Sequence, residues 1–483
     1  MSLPGLGLPG LNLGAPIHND PTPNTAVPRH QSLLAATEWR FEAPSTSTGL
    51  SVKVLSGTAE LFGTELAPSL AYTFRGTKGA IFTWQGCQLE ITGATEGEYV
   101  AEETPMVQYA NVHFALENAR NEKRTPRVLV VGPENSGKTS LIKILTAYAV
   151  KSGRQPVVVN LDPRQGLLSV PGSLTATTIA SMLDVEEGWG TSPISGPTAM
   201  PVKMPLVYHF GCGAAEENTK LYKALVTRLG LAVESRMQED DAVKSTGVLI
   251  DTPGSLVTAK GGNYELIQHI ISELSVDVLL VLGSERLFND LKKRFGDVSK
   301  DPVTVIRLDK SGGCVDREES YMQQLRQAQI KEYFFGLNNI PLAPHSMLAD
   351  FTHLSIFRIM SSTSASVSSA FAPGLNGNDE DDDDFYEPTV ALPSSNSTAM
   401  GTTLLEKVTP TNLMQNSLLA VTFASPSDSL DFIKDAAVMG YVYVAEVDEV
   451  KRKVKLLSPV GGAAPRNAMI WGSWPESVVS LVS

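Results

Sequence analysis

Cysteine is scarce. The 483 residues include only three, Cys87, Cys212 and Cys314. They are odd in number and far apart, so they build neither a disulfide framework nor a zinc knuckle, and a reducing compartment is expected. Long apolar runs are also missing. No stretch of eighteen strongly apolar residues occurs, which excludes an obvious membrane-spanning helix. A basic surplus is absent too: the formal net charge is −13. Asp379-Glu-Asp-Asp-Asp-Asp384 and Glu387 account for seven of those charges, and taking them away leaves −6. A body of that charge is not a broad nucleic-acid surface, which would be basic, so any RNA contact is expected to be weak or local. Residues 1–30 have no basic start and keep interrupting leucine with glycine and proline. They read as a disordered tail rather than a signal peptide.

What is present is globular. Hydrophobic residues make up 42 %, enough for a sizeable core, and the length fits two to four domains. From residue 31 to 104 short alternating runs are separated by turn residues: Ser51–Leu55, Ala59–Leu66, Ala71–Phe74, Ala80–Trp84 and Gln88–Ile91. That spacing predicts a small β sandwich or barrel. Pro105–Lys123 reads as a connector helix with Val107, Val112, Ala115 and Leu116 on its apolar side. Over 126–345 continuous apolar runs alternate with helical patterns: Val128–Val131, Val157–Leu161, Val248–Ile250, Val276–Leu282 and Pro302–Arg307. Such runs predict strands covered on both faces, in a mostly parallel α/β sheet. Residues 361–400 are rich in Ser, Thr, Ala, Gly, Asn and Asp and read as a disordered acidic insertion. Beyond it, Gly440–Val447 and Arg452–Leu457 predict a hairpin around Asp448–Lys451.

The expected architecture is therefore α/β with three parts. A small N-terminal β domain and connector helix occupy 31–120, a central P-loop domain 121–345, and a C-terminal β-rich domain with the acidic insertion 346–483.

Gly132-Pro133-Glu134-Asn135-Ser136-Gly137-Lys138-Thr139 fits G-x-x-x-x-G-K-[ST], with an apolar strand before it and a helix starting near Lys138. The glycines let the backbone wrap so that successive N–H groups point at phosphate oxygens, and the helix N-terminus adds partial positive charge. Lys138 is placed to reach the β- and γ-phosphates and Thr139 to offer a hydroxyl to Mg²⁺; Ser140 follows on the helix.

Two carboxylates complete the candidate metal site. Asp162 ends Val157-Val-Val-Asn-Leu161-Asp, and Asp251 ends Val248-Leu-Ile250-Asp. Each is suited to hold Mg²⁺ through water or to act as a general base; each is equally suited to cap a turn at a strand end. Asp251-Thr-Pro-Gly254 also has the D-x-x-G form of a GTPase, but no Asn-Lys-x-Asp segment is there to read guanine, and Arg307-Leu-Asp309-Lys lacks the order. Ser284–Phe295 is an amphipathic helix capped by Ser284, with Leu287, Phe288, Leu291 and Phe295 buried. Its other face carries Arg286, Asp290 and Lys293. That face is either simply solvated or a lid that places Arg286 over a transferring phosphoryl group.

Several segments carry a resemblance: Gly63-Thr-Glu-Leu66, the phosphate loop, Leu161-Asp-Pro-Arg-Gln165-Gly, Pro171-Gly172, Pro205-Leu-Val-Tyr-His-Phe-Gly211, Glu285-Arg-Leu287 and Lys331-Glu-Tyr-Phe-Phe-Gly336. Together they resemble the Clp1 polynucleotide 5′-hydroxyl kinase family, in its fungal pre-mRNA cleavage and polyadenylation branch. The resemblance implies ATP and Mg²⁺ at the central loop, with the adenine gripped by Glu38 and Lys78 of the N-terminal domain. It implies nuclear work in 3′-end processing, beside other subunits of that machinery. The chief partner implied is the subunit of cleavage factor IA that binds the polymerase tail. Two departures stand out. Members active as kinases carry Asp-Val-Gly-Gln where this chain has Asp162-Pro163-Arg164-Gln165, and a stacking Trp where it has Ser255. The acceptor site therefore looks degraded, and the expectation leans away from an enzyme; Asp162 and Arg286 are catalytic only if activity survives.

Overall fold

The computed structural model describes residues 27–45, 48–186, 205–258, 264–296, 302–337, 340–360, 404–479 and 481. Most of the expected tail and the whole acidic insertion lie outside these residues. The chain divides into two compact units, Met1–Leu61 with Glu65–Glu102, and Phe62–Thr64 with Glu103–Ser483.

In the first unit, alternation decides the layers. Leu50–Gly57 buries Leu50, Val52 and Val54 and turns the residues between them outward; Cys87–Thr92 does the same with Cys87, Leu89 and Ile91. These strands join Arg29–Leu33 and Ala71–Phe74 in a four-stranded sheet. A second sheet holds Thr64–Glu65, Glu60–Leu61, Lys78–Thr83, Thr37–Glu42 and Gly97–Ala101. Three details differ from the expectation. Arg29 and His30, assigned to the tail, begin a strand that pairs with Ile91 and Glu90. The single run expected over 59–66 is broken at Phe62 and Gly63, where φ is 45° and 84°; positive φ at both central residues makes a tight hairpin turn. Thr37–Glu42 is buried along nearly its whole length, so it shows no alternation to read.

The second unit starts with the connector helix, Met106–Asn121. Its seven-stranded sheet runs in the order Leu206–His209, Ser173–Thr178, Val157–Asn160, Val248–Asp251, Arg127–Val131, Val278–Leu282, Thr304–Leu308. The last five are mutually parallel, and Ser173–Thr178 runs antiparallel to its neighbours on both sides, so the sheet is mostly parallel with one reversed strand near its edge. Ser173–Thr178 was not expected as a strand, because Ser-Leu-Thr-Ala-Thr-Thr carries no long apolar run. A second seven-stranded sheet contains the expected hairpin as Val438–Asp448 paired with Lys453–Ser458. One hydrophobic core runs through both: Leu129, Val159, Phe210 and Tyr222 share it with Phe334, Tyr441, Tyr443 and Ile470. The boundary expected at 345–346 falls within the strand His345–Asp350, and residues on both sides of it share that core. No helix among the described residues is long and apolar enough to cross a membrane.

Candidate functional site

Arg127–Val131 lies between Val248–Asp251 and Val278–Leu282, and all three run the same way. Their carboxyl ends open on one edge, where parallel α/β sheets bind ligands. Gly132 follows the strand, and the helix Lys138–Lys151 starts at Gly137, whose φ is 88°. A side chain at Gly137 would be strained there and would also meet the Cys314 sulfur at 2.7 Å. Asn135 takes a φ of 54°, and its Oδ1 accepts a hydrogen bond from Arg317 Nε at 2.8 Å. Ser136 is buried, and its hydroxyl has no hydrogen-bond partner among the described residues. Glu134 packs against Gly254, where an added Cβ would lie 2.5 Å from the Glu134 backbone nitrogen. That close approach accounts for the glycine of Asp-Thr-Pro-Gly without any guanine chemistry.

Lys138 is buried and donates from Nζ to the carbonyls of Gly132 at 3.1 Å and Pro133 at 2.9 Å. Burial lowers its pKa, while Asp251, Asp162 and Glu134 pull the other way. Thr139 Oγ1 donates to Asp251 Oδ2 at 2.6 Å. Asn160 and Asp251 are register partners on adjacent parallel strands, which sets both acids at the same edge. Burial pushes Asp251 up to about 6, with the neighbouring Asp162 adding to the rise. Asp162 is raised by burial as well. Its Oδ1 accepts from the Arg164 N–H at 3.0 Å and its Oδ2 from Gln165 Nε2 at 3.1 Å, so it also caps its own turn. Lys138, Thr139, Asp162 and Asp251 are therefore gathered at one place. Ser140 follows Thr139 in the first turn of the helix, partly buried. Among the described residues no cluster of three or more His, Cys, Asp or Glu forms a metal site.

The adenine candidates belong to the first unit. Glu38 is buried, and its Oε1 accepts from Arg40 Nε at 2.5 Å. Lys78 forms an ion pair with Glu42, its register partner on the adjacent strand. Glu38, Arg40 and Glu42 alternate along one face of Thr37–Glu42, so the two candidates share that face. Arg286 is exposed in the first turn of Glu285–Leu291, where Ser284 Oγ accepts from the Leu287 N–H at 3.2 Å as expected. The helix continues as a π turn over Lys292–Gly296.

The loop after Asp162 is crowded. Arg164 Nη2 lies 2.8 Å from Glu319 Oε2 and Nη1 lies 3.6 Å from Glu134 Oε1. Ser255 Oγ donates to Glu216 Oε2 at 3.2 Å. Sequence reasoning missed Arg317, Cys314, Glu319 and Glu216 as neighbours of the site. All four sit outside the sheet-edge motifs, and no short pattern marks them.

Comparison with known proteins agrees with this geometry. Residues 132–336 match the family model described as mRNA cleavage and polyadenylation factor CLP1 P-loop. Residues 32–123 match the N-terminal beta-sandwich domain of polyadenylation factor, and 342–476 match pre-mRNA cleavage complex II protein Clp1. The chain is 54 % identical to the mRNA cleavage and polyadenylation factor CLP1 of Phaeosphaeria nodorum, covering 99 % of this chain and 100 % of that one. It is 50 % identical to the corresponding factor of Botryotinia fuckeliana, over 100 % of both. Among solved structures, a wild-type Clp1p–Pcf11p complex superposes with a TM-score of 0.80 at 30 % identity, covering 93 % of this chain and 98 % of that chain. Another, at the same TM-score and identity, concerns the extended Pcf11p–Clp1p interface and the loss of ATP in a point mutant; it covers 93 % and 99 %. The chain belongs to the Clp1 family of mRNA cleavage and polyadenylation factors.

Proposed function

We propose that this protein is an ATP-binding subunit of the nuclear pre-mRNA 3′-end cleavage and polyadenylation machinery, in which ATP is a structural ligand. Its partner is the polymerase-tail-binding subunit of cleavage factor IA, the role suggested by the Clp1p–Pcf11p complexes. The observation that carries this reading is the contrast within one site: a complete phosphate loop stands beside a loop filled by Arg164 and its carboxylate partners. Lys138 and the loop N–H groups receive the phosphates. The Thr139 hydroxyl, already bonded to Asp251, with Asp162 nearby, supplies the hard oxygen donors that Mg²⁺ prefers. When bound, the cation would neutralise phosphate charge beside two buried carboxylates. Glu38 and Lys78 are the adenine contacts, exchanging their present ion-pair partners for the ring: a carboxylate accepts from the amino group and an ammonium donates to a ring nitrogen.

The experiment is mass analysis of nucleotide released from the denatured, purified protein. ATP at near one equivalent is expected; no adenine nucleotide, or ADP alone, overturns the structural-ligand reading. A second reading, transfer of the ATP γ-phosphate to an RNA or DNA 5′-hydroxyl, draws on the retained Arg286 and on Gln165, which hydrogen-bonds Asp162. Strong labelling of a 5′-hydroxyl oligonucleotide by the unmodified protein would favour it.

A further inference from the structure

We infer that Arg164 is a latch: it holds the chain's own C-terminal segment, Trp471–Glu476, over the loop after Asp162 and couples that hold to the nucleotide loop. The inference deepens the ATP-binding reading above and rests on it for the coupling.

The segment lies backbone on backbone against the turn that follows Leu206–His209. The Trp474 N–H donates to the Gly211 carbonyl at 3.0 Å. A Cβ at Gly472 would lie 2.3 Å from that same oxygen, so the two backbones approach as only glycine allows. A Cβ at Gly172 would lie 3.0 Å from the Trp474 carbonyl, so the segment also covers the end of the acceptor-side loop.

Side chains then tie it down. Arg326, 2 % exposed, donates from Nε and Nη2 to Glu476 Oε1 at 2.9 and 2.7 Å, and its guanidinium lies 4.7 Å from the Trp474 ring centroid. Arg326 Nη2 also reaches Glu319 Oε1 at 2.7 Å. The other oxygen of the same carboxylate takes Arg164 at 2.8 Å. Arg164 lies 5.9 Å from the same indole and 3.6 Å from Glu134 in the phosphate loop. Charges therefore alternate without a gap from Glu134 through Arg164, Glu319 and Arg326 to Glu476.

Single exposed ion pairs stabilise little, but here several share partners around a buried arginine and one aromatic ring. The geometry needs a planar fork that bonds one carboxylate, approaches another and stacks on an indole, which lysine cannot supply. Phosphate charge arriving in the loop beside Glu134 deepens the negative potential that Arg164 faces and strengthens its hold. By reciprocity, a latch strengthened by nucleotide must in turn strengthen nucleotide binding. The approach to Asp162 is then closed by the protein itself.

Hydrogen exchange of the amides in 471–476, measured by mass spectrometry on the full chain with and without ATP and Mg²⁺, tests this together with the dissociation rate of a fluorescent ATP analogue. In the wild type, nucleotide should slow exchange of the segment severalfold. Arg164→Ala should speed exchange without nucleotide, abolish the slowing by ATP and release the analogue about tenfold faster, within the range of ordinary coupling. Glu319→Gln, at an exposed position, removes the shared carboxylate and should reproduce both effects. Arg164→Lys should behave like the alanine variant. Unchanged exchange in Arg164→Ala, or full rescue by lysine, overturns the latch. If the wild type binds no ATP, the functional reading fails, yet the nucleotide-free exchange still decides whether Arg164 holds the segment.

Discussion

In the phosphate loop, binding capacity resides in the backbone. Gly132 and Gly137 shape it, and Lys138 parks on two loop carbonyls. Across the same sheet edge, the loop 162–166 is a meeting place of side chains. Arg164 is engaged by Glu319 and Glu134, and the Asp162 carboxylate is occupied by its own turn. One half of the site is held ready for a ligand and the other is satisfied internally. A protein that must retain a nucleotide gains from the first arrangement. A protein that must admit a second substrate loses by the second.

The sharpest way to break this comparison is to damage the intact half. Lys138→Ala with Thr139→Ala removes contacts to charged groups that contribute ~1.5–3 kcal/mol each, so ATP affinity should fall roughly a hundredfold or more in a filter or calorimetric assay. The ligand-linked stability, about 4 kcal/mol at a thousand times Kd, should vanish from thermal melts, and partner binding should weaken. Unchanged partner affinity after loss of ATP would separate the scaffold from its nucleotide.

Acid probes the edge of the same sheet, where His209 ends the strand Leu206–His209. His209 is buried, its Nε2 has no hydrogen-bond partner among the described residues, and burial lowers its pKa from 6.5 to about 4. The folded protein keeps this imidazole neutral, whereas the unfolded chain takes up a proton. Its contribution is complete above pH 6.5 and declines as the pH falls toward 4, by ~3 kcal/mol at most. His209→Asn should flatten the dependence of melting temperature on pH over that window. A slope equal to the wild type's would place the acid sensitivity elsewhere.

Repair of the second half is the next largest effect expected. Ser255→Trp adds a stacking surface, worth ~1–3 kcal/mol. Pro163→Val with Arg164→Gly frees the segment beside Asp162. The triple variant should label a 5′-hydroxyl oligonucleotide about tenfold better than wild type, and Lys138→Ala in that background should abolish it. A variant that binds ATP and stays inactive would move the defect to Arg286.

The smallest effect is expected from deleting residues 365–398, whose composition lacks the apolar content to offset ordering. The flanking strands Ser355–Ile359 and Leu405–Val408 pair with each other, and the Met360 N–H bonds the Leu404 carbonyl at 3.0 Å, so the ends already meet. Melting temperature and ATP binding should stay within a few degrees and twofold of wild type; a drop of many degrees would show that the segment contributes to the fold.

Much of this was legible before any coordinates. A buried parallel strand must be apolar throughout, so Val128–Val131 and Val157–Leu161 announced themselves, and the phosphate loop followed because backbone wrapping demands glycine at set positions. Short-range rules also placed Asp162 and Asp251, since a strand's end is where its apolar run stops. What the tertiary structure alone decided are contacts between residues far apart in the chain. In the sequence Arg164 is only a departure from Asp-Val-Gly-Gln, and the meeting of Glu134, Glu319 and Trp474 makes it a junction. Arg317 on Asn135 and Tyr441 beside His209 leave no local trace either. Periodicity and turn chemistry act over a few residues, whereas a charge's partner is chosen by which surfaces the folded core brings together, and no spacing rule records that choice.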